Sequence, residues 1–296
     1  MLPKLIVIAG TNASGKSGLG IELAAHYGGE VISADSRQVF RGLDLGSGKI
    51  TPEETKGVPH HLIDVVDAGA FYSMADFQKQ AYEAIDDIIA RGKTPFLVGG
   101  TGLYVASVAD GYVMSDRMPD LAYRNELEKL TTEELYVMLK NIIPDTDVEP
   151  RNRNRVMRVL EKIHDGDDVT PSKEPRYETL RLGVTWDRDT LRKRIDERLD
   201  RRLEQGMIEE VKGLLDSGVS DTFMIKLGLE YGFITRYLRG DYSSLEEMKG
   251  LLATAIKQFA KRQMTWFRRD QSIQWLDMTA DPKAQAIEKI DAFLNA

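Results

Sequence analysis

Residues 10–17 read GTNASGKS and follow directly on the apolar run KLIVIA. The octapeptide matches G-x-x-x-x-G-K-[ST], and it stands after a strand-like run and before a helix-like stretch, as that pattern requires. Gly10 and Gly15 let the backbone curl so that successive N–H groups point at one anion. We therefore predict a phosphate-binding loop, in which Lys16 reaches the terminal phosphate and Ser17 ligates Mg²⁺. Its residues are Gly10, Thr11, Asn12, Ala13, Ser14, Gly15, Lys16 and Ser17.

The first hundred residues alternate short apolar runs with amphipathic stretches. Strands are predicted at LIVIA (5–9), EVISA (30–34), HLIDVV (61–66) and TPFLVGG (94–100). Helices are predicted from about Lys16 and from Ser73, where Asp76 completes a capping box, to Arg91. This is the βαβ rhythm of a parallel sheet covered by helices, so the fold class is α/β.

Strand signals are missing from residues 116–178, where prolines separate helix-like segments. The strand TLRLGVTW (179–186) follows, then a helix with apolar residues every fourth position from Leu191 to Met207. We predict a core of residues 1–115 and 179–296 that carries a small all-helical insert at 116–178. A helix capped by Ser244 and Glu247, the strand IQWLD and a helix at 282–295 complete the predicted core.

Composition places limits on the class of protein. A hydrophobic content of 42% over 296 residues is ample for a packed core. No apolar run approaches the roughly 20 residues that span a bilayer, and the N-terminus shows no signal-peptide pattern. The absence of cysteine excludes disulfides and thiolate metal sites. We expect a soluble cytoplasmic protein without a membrane partner, and a monomer, because no heptad seam or apolar surface stripe is evident.

The net charge of −7 argues weakly against a nucleic-acid partner. Its distribution matters more, because RNRNRVMRVLEK (151–162) has five basic residues and one acid, and KQFAKRQMTWFRR (257–269) has five basic residues and no acid. Two such patches fit local binding of a polyanion, or simply the solvated faces of two helices. Charge alone does not decide between these interpretations.

Polar residues follow two of the predicted strands. Asp35 comes directly after EVISA, at the sheet edge where open α/β folds bind ligands, so it suits a general base or merely a turn cap. Thr101 follows two glycines at another strand end, where its hydroxyl could meet an oxyanion or act as an ordinary N-cap. Four arginines on one helix are expected to be mostly exposed, with one or two turned inward: Arg194, Arg198, Arg201 and Arg202.

The loop does not by itself identify the reaction. A kinase or NTPase usually adds a strand ending in a metal-positioning aspartate, and often an arginine-bearing lid. Asp64 could serve as that aspartate, but FLVGGTGLY ends its strand in glycines and a threonine. The nucleotide-hydrolysis interpretation is therefore incomplete.

Several segments together resemble one family, the tRNA dimethylallyltransferases, in the bacterial form that lacks a cysteine-bearing zinc finger. The segments run in order along nearly the whole chain and read GTNASGKS, SADSRQVFRGLDLGSGK, PHHLIDVVD, YSMADF, LVGGTGLY, NRNRVMRVLE, RKRIDERLDRRLEQGMIEEV, AIKQFAKRQMTWFRRD and QWLD. The resemblance implies a P-loop NTPase-like core and the transfer of a dimethylallyl group from dimethylallyl diphosphate to N6 of adenine 37 in tRNA anticodon loops. The loop would then hold the departing diphosphate.

The resemblance also assigns roles to residues. Asp35, Thr101 and Arg198 are implied to be catalytic: Asp35 accepts the N6 proton, and the other two, with Lys16 and the Mg²⁺ on Ser17, stabilise charge on the diphosphate. The implied tRNA-binding residues are Asp35, Ser36, Arg37, Gln38, Thr101, Arg124, Asn154, Arg155, Val156, Met157 and Arg158. The target base is expected to flip out of its stack into the site.

One segment departs from the family pattern. The family often reads Val-Gly-Tyr-Arg where this chain has Leu229, Glu230, Tyr231 and Gly232, so an arginine is lost and an acid is gained. If that segment touches RNA, affinity or substrate choice is expected to differ.

Two other hypotheses compete with prenyl transfer. A small-molecule kinase of the nucleoside or shikimate type would bind ATP at the loop and use Asp35 to activate a hydroxyl. An RNA-binding module with a vestigial loop would explain the basic patches. Intact Lys16, Ser17 and Asp35 argue against the module, and the kinase leaves KRQMTWFRR unexplained.

Overall fold

The computed structural model describes residues 2–114, 120–170 and 172–296. The chain forms two compact units, Met1–Gly111 with Pro175–Ala296 and, separately, Tyr112–Glu174. The predicted boundary between residues 115 and 116 lies outside the described residues. The return to the first unit comes at Pro175, a few residues before the predicted position, because Arg176 and Tyr177 already bond to Asp86 of that unit.

A parallel sheet forms the centre of the first unit. Its described strands are β1 (Lys4–Gly10), β2 (Glu30–Ala34), β3 (His60–His61), β4 (Pro95–Gly99), β5 (Glu178–Thr185) and β6 (Gln274–Asp277). They lie in the order β3-β2-β4-β1-β5-β6, and every pair is parallel. β1, β2 and β4 are almost wholly buried, which explains why their sequences are continuous apolar runs.

Helices cover both faces of this sheet. In the first unit the described helices are α1 (Lys16–His26), α2 (Met74–Ala90), α3 (Gly102–Ala109), α7 (Arg188–Glu204), α8 (Met207–Asp216), α9 (Asp221–Leu227), α10 (Leu229–Leu238), α11 (Leu245–Phe267) and α12 (Pro282–Asn295). Apolar residues of α2 and α3 pack on one face, and those of α1 and α12 pack on the other. A further cluster joins α7, α8, α10 and α11 to the loop after β2. The α/β prediction is confirmed.

Most predicted elements are present, and the differences have local causes. The capping box of α2 forms in both directions between Ser73 and Asp76. At α11, Ser244 caps Glu247 N, but the Glu247 carboxylate accepts from Ser243. The predicted strand at 61–66 is wrong beyond His61, because Leu62 and Asp64 have positive φ, a conformation that a strand excludes.

The second unit contains three described helices and one antiparallel bridge. α4 (Leu121–Glu128), α5 (Thr132–Ile142) and α6 (Arg153–His164) pack around an apolar cluster that includes Leu135, Leu139 and Leu160. The bridge joins Tyr112 to Lys173, close to the two ends of the unit. Among the described helices of the whole chain, none has the length and apolarity needed to cross a membrane.

A buried carboxylate ties β2 to the turn that leads into β4. Glu30 accepts hydrogen bonds from Arg91 at 2.5 and 2.8 Å and from Lys93 at 2.7 Å, and it lies 2.7 Å from His61. Arg91, more than Lys93 and His61, lowers the pKa of Glu30 well below its ordinary value, despite burial. Such a group contributes stability above the pKa of the unfolded carboxyl, near 4.3, and loses it as the pH falls.

We expect Glu30→Gln to lower the free energy of unfolding by about 1–3 kcal/mol at pH 7, because three donors lose a charged acceptor. The difference from wild type should shrink as the pH falls below about 4, because the unfolded wild-type chain then gains a proton at Glu30 that the folded state, with its lowered pKa, does not take up. Urea unfolding at several pH values measures both effects. Glu22→Gln, which removes an exposed acid 3.9 Å from Lys56, should change the stability by less than about 0.5 kcal/mol. Equal losses in the two variants would contradict the prediction.

Candidate active site

The loop between β1 and α1 has the shape of an anion cradle. Gly15 has a φ of 90° and gives α1 no side-chain cap, so the first N–H groups of the helix stay available. A methyl group on Gly10 would lie 2.8 Å from both Ser14 Oγ and the carbonyl oxygen of Val184, so only glycine fits there. Ser14 Oγ is buried and has no hydrogen-bond partner among the described residues, so its hydroxyl is free to donate to an anion in the loop. The predicted loop residues thus suit a phosphate group.

Residues from the second half of the chain brace this loop. Trp186 Nε1 donates to the carbonyl oxygen of Ser14 at 2.8 Å, and Arg194 Nε donates to that of Ala13 at 2.9 Å. The Arg194 guanidinium also lies over the Trp186 ring, 4.8 Å from its centroid. The two contacts hold the carbonyls on the outer side of the loop, which leaves N–H groups for the anion.

Gln263 of α11 connects the loop to the end of β4. Its Oε1 accepts from Asn12 N at 2.9 Å, and its Nε2 donates to the carbonyl oxygen of Gly100 at 2.8 Å. The side chain is buried, so both bonds lie away from water. Gln263 therefore fixes the distance between two strand ends, a role that its place in a basic segment did not reveal.

Asp35 combines the two roles that the sequence left open. Its Oδ1 accepts from Arg37 N at 2.9 Å and Gln38 N at 3.4 Å, which is a turn cap. Its Oδ2 accepts no hydrogen bond from any described residue, and the side chain lines the same cavity as Thr101 and Arg198. One oxygen therefore builds the turn, and the other remains for a ligand.

Thr101 is the N-cap residue of α3, but its side chain makes no cap hydrogen bond. Instead Oγ1 accepts from Ser36 N at 3.0 Å and bonds to Ser36 Oγ at 3.3 Å. The backbone N–H of Thr101 donates to the carbonyl oxygen of Ala34. The Thr101 side chain therefore does not cap α3. It binds the backbone of Ser36 and so holds the turn that carries Asp35.

Of the four α7 arginines singled out in the sequence, three face inward, so the prediction that most of these four are exposed is wrong. Arg194, Arg198 and Arg202 are spaced four residues apart and share one face of the helix, and Arg201, the fourth of the set, is exposed. Arg198 lines the Asp35 cavity, and burial lowers its pKa below the ordinary arginine value. The four-residue spacing was the signal that sequence reasoning missed.

Lys16 lies among these charges. Its Nζ donates to the carbonyl oxygen of Thr11 at 3.3 Å. Burial lowers its pKa to about 8, and the nearby Arg198 and Arg202 contribute to the lowering while Asp35 opposes it. Burial in this cavity disfavours the charged form of these cations. An anion that binds between them would stabilise that charged form, as expected of an anion site.

Glu230, the acid gained in the departing segment, lies in this cavity and is 4% exposed. Its carboxylate is 2.9 Å from Arg37 and 3.8 Å from Arg202. The departure from the family pattern thus supplies a buried counter-ion. Gln38, also predicted to touch tRNA, bonds within the protein to Ser33 at 2.9 Å and to the carbonyl oxygen of Gly48 at 3.2 Å.

The two basic patches differ. On α11, Lys257 pairs with Asp196 at 2.7 Å, but no described acid pairs with Lys261, Arg262 or Arg269. These three cations flank the exposed Trp266 on one surface. Internal ion pairs therefore do not neutralise this patch among the described residues.

In the second unit, most basic side chains of the patch at residues 151–162 make contacts within the protein. Arg153 donates to the carbonyl oxygens of Leu127, Glu128 and Leu130 at the end of α4. Arg124 and Arg158 lie 3.2 and 3.3 Å from the buried Glu161. Val156 and Met157 are buried in the apolar cluster, so their side chains do not reach a ligand in this structure. Asn154 and Arg155 are exposed.

Comparison with known proteins identifies the family. The IPP transferase family model matches residues 38–270. The chain belongs to the IPP transferase family. It is 46% identical over 294 residues to tRNA dimethylallyltransferase 2 of Shewanella sediminis, with 96% of each chain covered.

Two solved structures resemble this IPP transferase. One is the full-length tRNA isopentenylpyrophosphate transferase of Bacillus halodurans, at 40% identity and a TM-score of 0.75, with 99% of this chain and 95% of the other covered. The second is a eukaryotic dimethylallyltransferase acting on tRNA, at 29% identity and a TM-score of 0.80, with 99% of this chain and 79% of the other covered. The resemblance that the sequence motifs indicated is thereby confirmed, as is the P-loop NTPase-like fold.

Gly48 offers a direct test of the arginine cluster. A methyl group on Gly48 would overlap the Nη2 atoms of both Arg198 and Arg202, so Gly48→Ala must displace them. We expect the dissociation constant for inorganic pyrophosphate, measured by calorimetry, to rise about tenfold or more.

Gly57→Ala is the matched control for this prediction. Both glycines have positive φ, 66° at Gly48 and 80° at Gly57, so both variants carry similar backbone strain. A methyl group on Gly57 would meet no atom within 4 Å. Equal pyrophosphate affinities in the two variants would show that the arginines do not bind the anion.

Proposed function

We propose that this IPP transferase moves a dimethylallyl group from dimethylallyl diphosphate to N6 of adenine 37 in tRNA anticodon loops and releases diphosphate. The observation that carries the proposal is the meeting of an anion cradle, an unbonded carboxylate oxygen of Asp35 and buried guanidinium groups at one end of the parallel sheet. The family membership supports tRNA prenylation over the kinase alternative.

The residues divide the chemistry between acceptor and leaving group. N6 attacks C1 of the prenyl group while the bond from C1 to the diphosphate oxygen breaks, and its electron pair stays on that oxygen. Asp35 Oδ2 takes the proton that N6 loses, because Oδ1 is already bound to the turn. Lys16, Arg198 and the loop N–H groups stabilise the charge that grows on the diphosphate.

A magnesium ion fits the same end of the site. Among the described residues, no three His, Asp or Glu side chains come together to hold a metal, so protein ligands would be few. Mg²⁺ commonly takes one or two protein oxygens and completes its shell with phosphate and water, and Ser17 Oγ at the start of α1 supplies one. When bound, the ion would supply charge neutralisation on the diphosphate.

RNA binding is assigned to the turn at residues 35–38, to Thr101 and to the surface around Trp266 on α11. The unpaired cations of that surface suit backbone phosphates, and the indole suits stacking. In the second unit Arg124, Asn154, Arg155 and Arg158 are the candidates with accessible side chains. The proposal also includes action as a monomer in the cytoplasm.

A single assay separates the three hypotheses. The protein is incubated with Mg²⁺, labelled dimethylallyl diphosphate and an unmodified tRNA that has A at positions 36 and 37. Label on the tRNA is the expected result. ATP-dependent phosphorylation of a metabolite without label transfer would favour the kinase, and tRNA binding without any turnover would favour the RNA-binding module.

Asp35→Asn tests the proton acceptor without removing the turn, since the amide oxygen can still accept from Arg37 N and Gln38 N. We expect kcat to fall about 10²–10⁴-fold while tRNA affinity stays within a few-fold. Label incorporation and tRNA filter binding measure the two quantities.

Asp67→Asn serves as the control, because it removes the same charge from a side chain that is 82% exposed. Its activity should match that of wild type. If Asp35→Asn lost tRNA affinity and kcat to the same extent, the result would show that Asp35 serves only as a structural cap.

A further inference from the structure

Arg198 and Arg202 meet at one point of the cavity wall. Because a methyl group on Gly48 would overlap the Nη2 atoms of both, these two nitrogens lie within about 3.5 Å of each other. The Arg202 side chain is only 11% exposed, so water screens the repulsion between the two like charges poorly. Two guanidinium groups this close offer parallel N–H donors to one anion that comes between them or bridges them.

The available counter-charge does not neutralise this pair. Glu230 is 3.8 Å from Arg202, but it gives its shorter ion pair, at 2.9 Å, to Arg37. Burial lowers the pKa of Arg202 to about 10, and the neighbouring Arg198 adds to the lowering. In the ligand-free protein Arg202 therefore lies in surroundings that disfavour its positive charge. An arginine at this position does not serve to stabilise the fold.

We propose that Arg202 is a second diphosphate-binding residue beside Arg198. The inference rests on the proposed function, because it names a further contact to the same leaving group. Lys16 and the start of α1 serve one phosphate group, and the Arg198 and Arg202 pair serves the other. As C1 leaves the diphosphate oxygen and joins N6, Arg202 stabilises the electron pair left on the diphosphate. Both arginines line the same wide cleft as Lys16 and Ser17.

This role makes a prediction that a structural role does not. If Arg202 only supported the fold, its removal would lower the melting temperature of the ligand-free protein. If it serves an anion, its removal relieves a repulsion, and Arg202→Gln should melt at the same temperature as wild type or higher. Addition of pyrophosphate should stabilise wild type more than the variant, in proportion to affinity.

The experiment compares wild type, Arg202→Gln, Arg202→Lys and the control Arg192→Gln by calorimetry with inorganic pyrophosphate and Mg²⁺, and by thermal melting with and without pyrophosphate. Arg192 lies on the same helix, is exposed and is 3.9 Å from Asp189, so its variant removes an equal charge. We expect a 10- to 100-fold loss of pyrophosphate affinity in Arg202→Gln, a smaller loss in Arg202→Lys and a change of less than twofold in Arg192→Gln.

Unchanged pyrophosphate affinity in Arg202→Gln would overturn the inference, and so would a lowered melting temperature of both ligand-free Arg202 variants. The labelled transfer assay on wild type keeps this outcome apart from the fate of the proposed function. If prenyl transfer occurs and the KM for dimethylallyl diphosphate is the same in wild type and Arg202→Gln, the inference is wrong and the proposed function stands. If pyrophosphate binding depends on Arg202 but wild type transfers no label to tRNA, the proposed function is wrong and the anion-binding role of Arg202 stands.

Discussion

Parallel pairing of β1, β2 and β4 is the constraint on which the candidate site depends. Because β4 lies between the other two and all three run in one direction, their carboxyl ends meet at one edge of the sheet. The phosphate loop, the turn with Asp35 and the threonine after Gly100 each follow one of these ends. A reversed strand would send one of the three to the opposite edge, about 15 Å away for strands of five residues.

A second theme is the electrostatic state of the free site. Lys16, Arg198 and Arg202 lie where desolvation lowers the pKa of each, so part of the stability of the fold is given up to keep them. Asp35 and Glu230 offset this cost only partly. The negatively charged diphosphate would complete the balance, which is the pattern of a site organised for a ligand before the ligand arrives.

Local patterns in the sequence predicted much of this structure. The buried runs at 5–9 and 30–34, the capping box at Ser73 and the phosphate loop are all short-range signals, and each appears where its pattern placed it. The strand predicted at 61–66 failed for a local reason, the positive φ of Leu62 and Asp64, whereas the orientation of the α7 arginines and the role of Thr101 depended on distant residues. Whether Thr101 caps its own helix is decided by Ser36, and which arginines of α7 turn inward is decided by a cavity that α7 shares with the phosphate loop and α11. The roles of Gln263 and Glu230 likewise follow from partners far away along the chain.

The brace around the phosphate loop also affects when the site can exist. The loop is complete in sequence by residue 17, but its carbonyls are held by Trp186 and Arg194 and its spacing to β4 by Gln263. During synthesis the loop therefore emerges more than two hundred residues before the last of its supports. A nascent chain lacks the full set of supports until Gln263 has been made, and an N-terminal fragment that ends before Trp186 lacks all three. The motif that comes first in the chain is thus supported by residues that are made last.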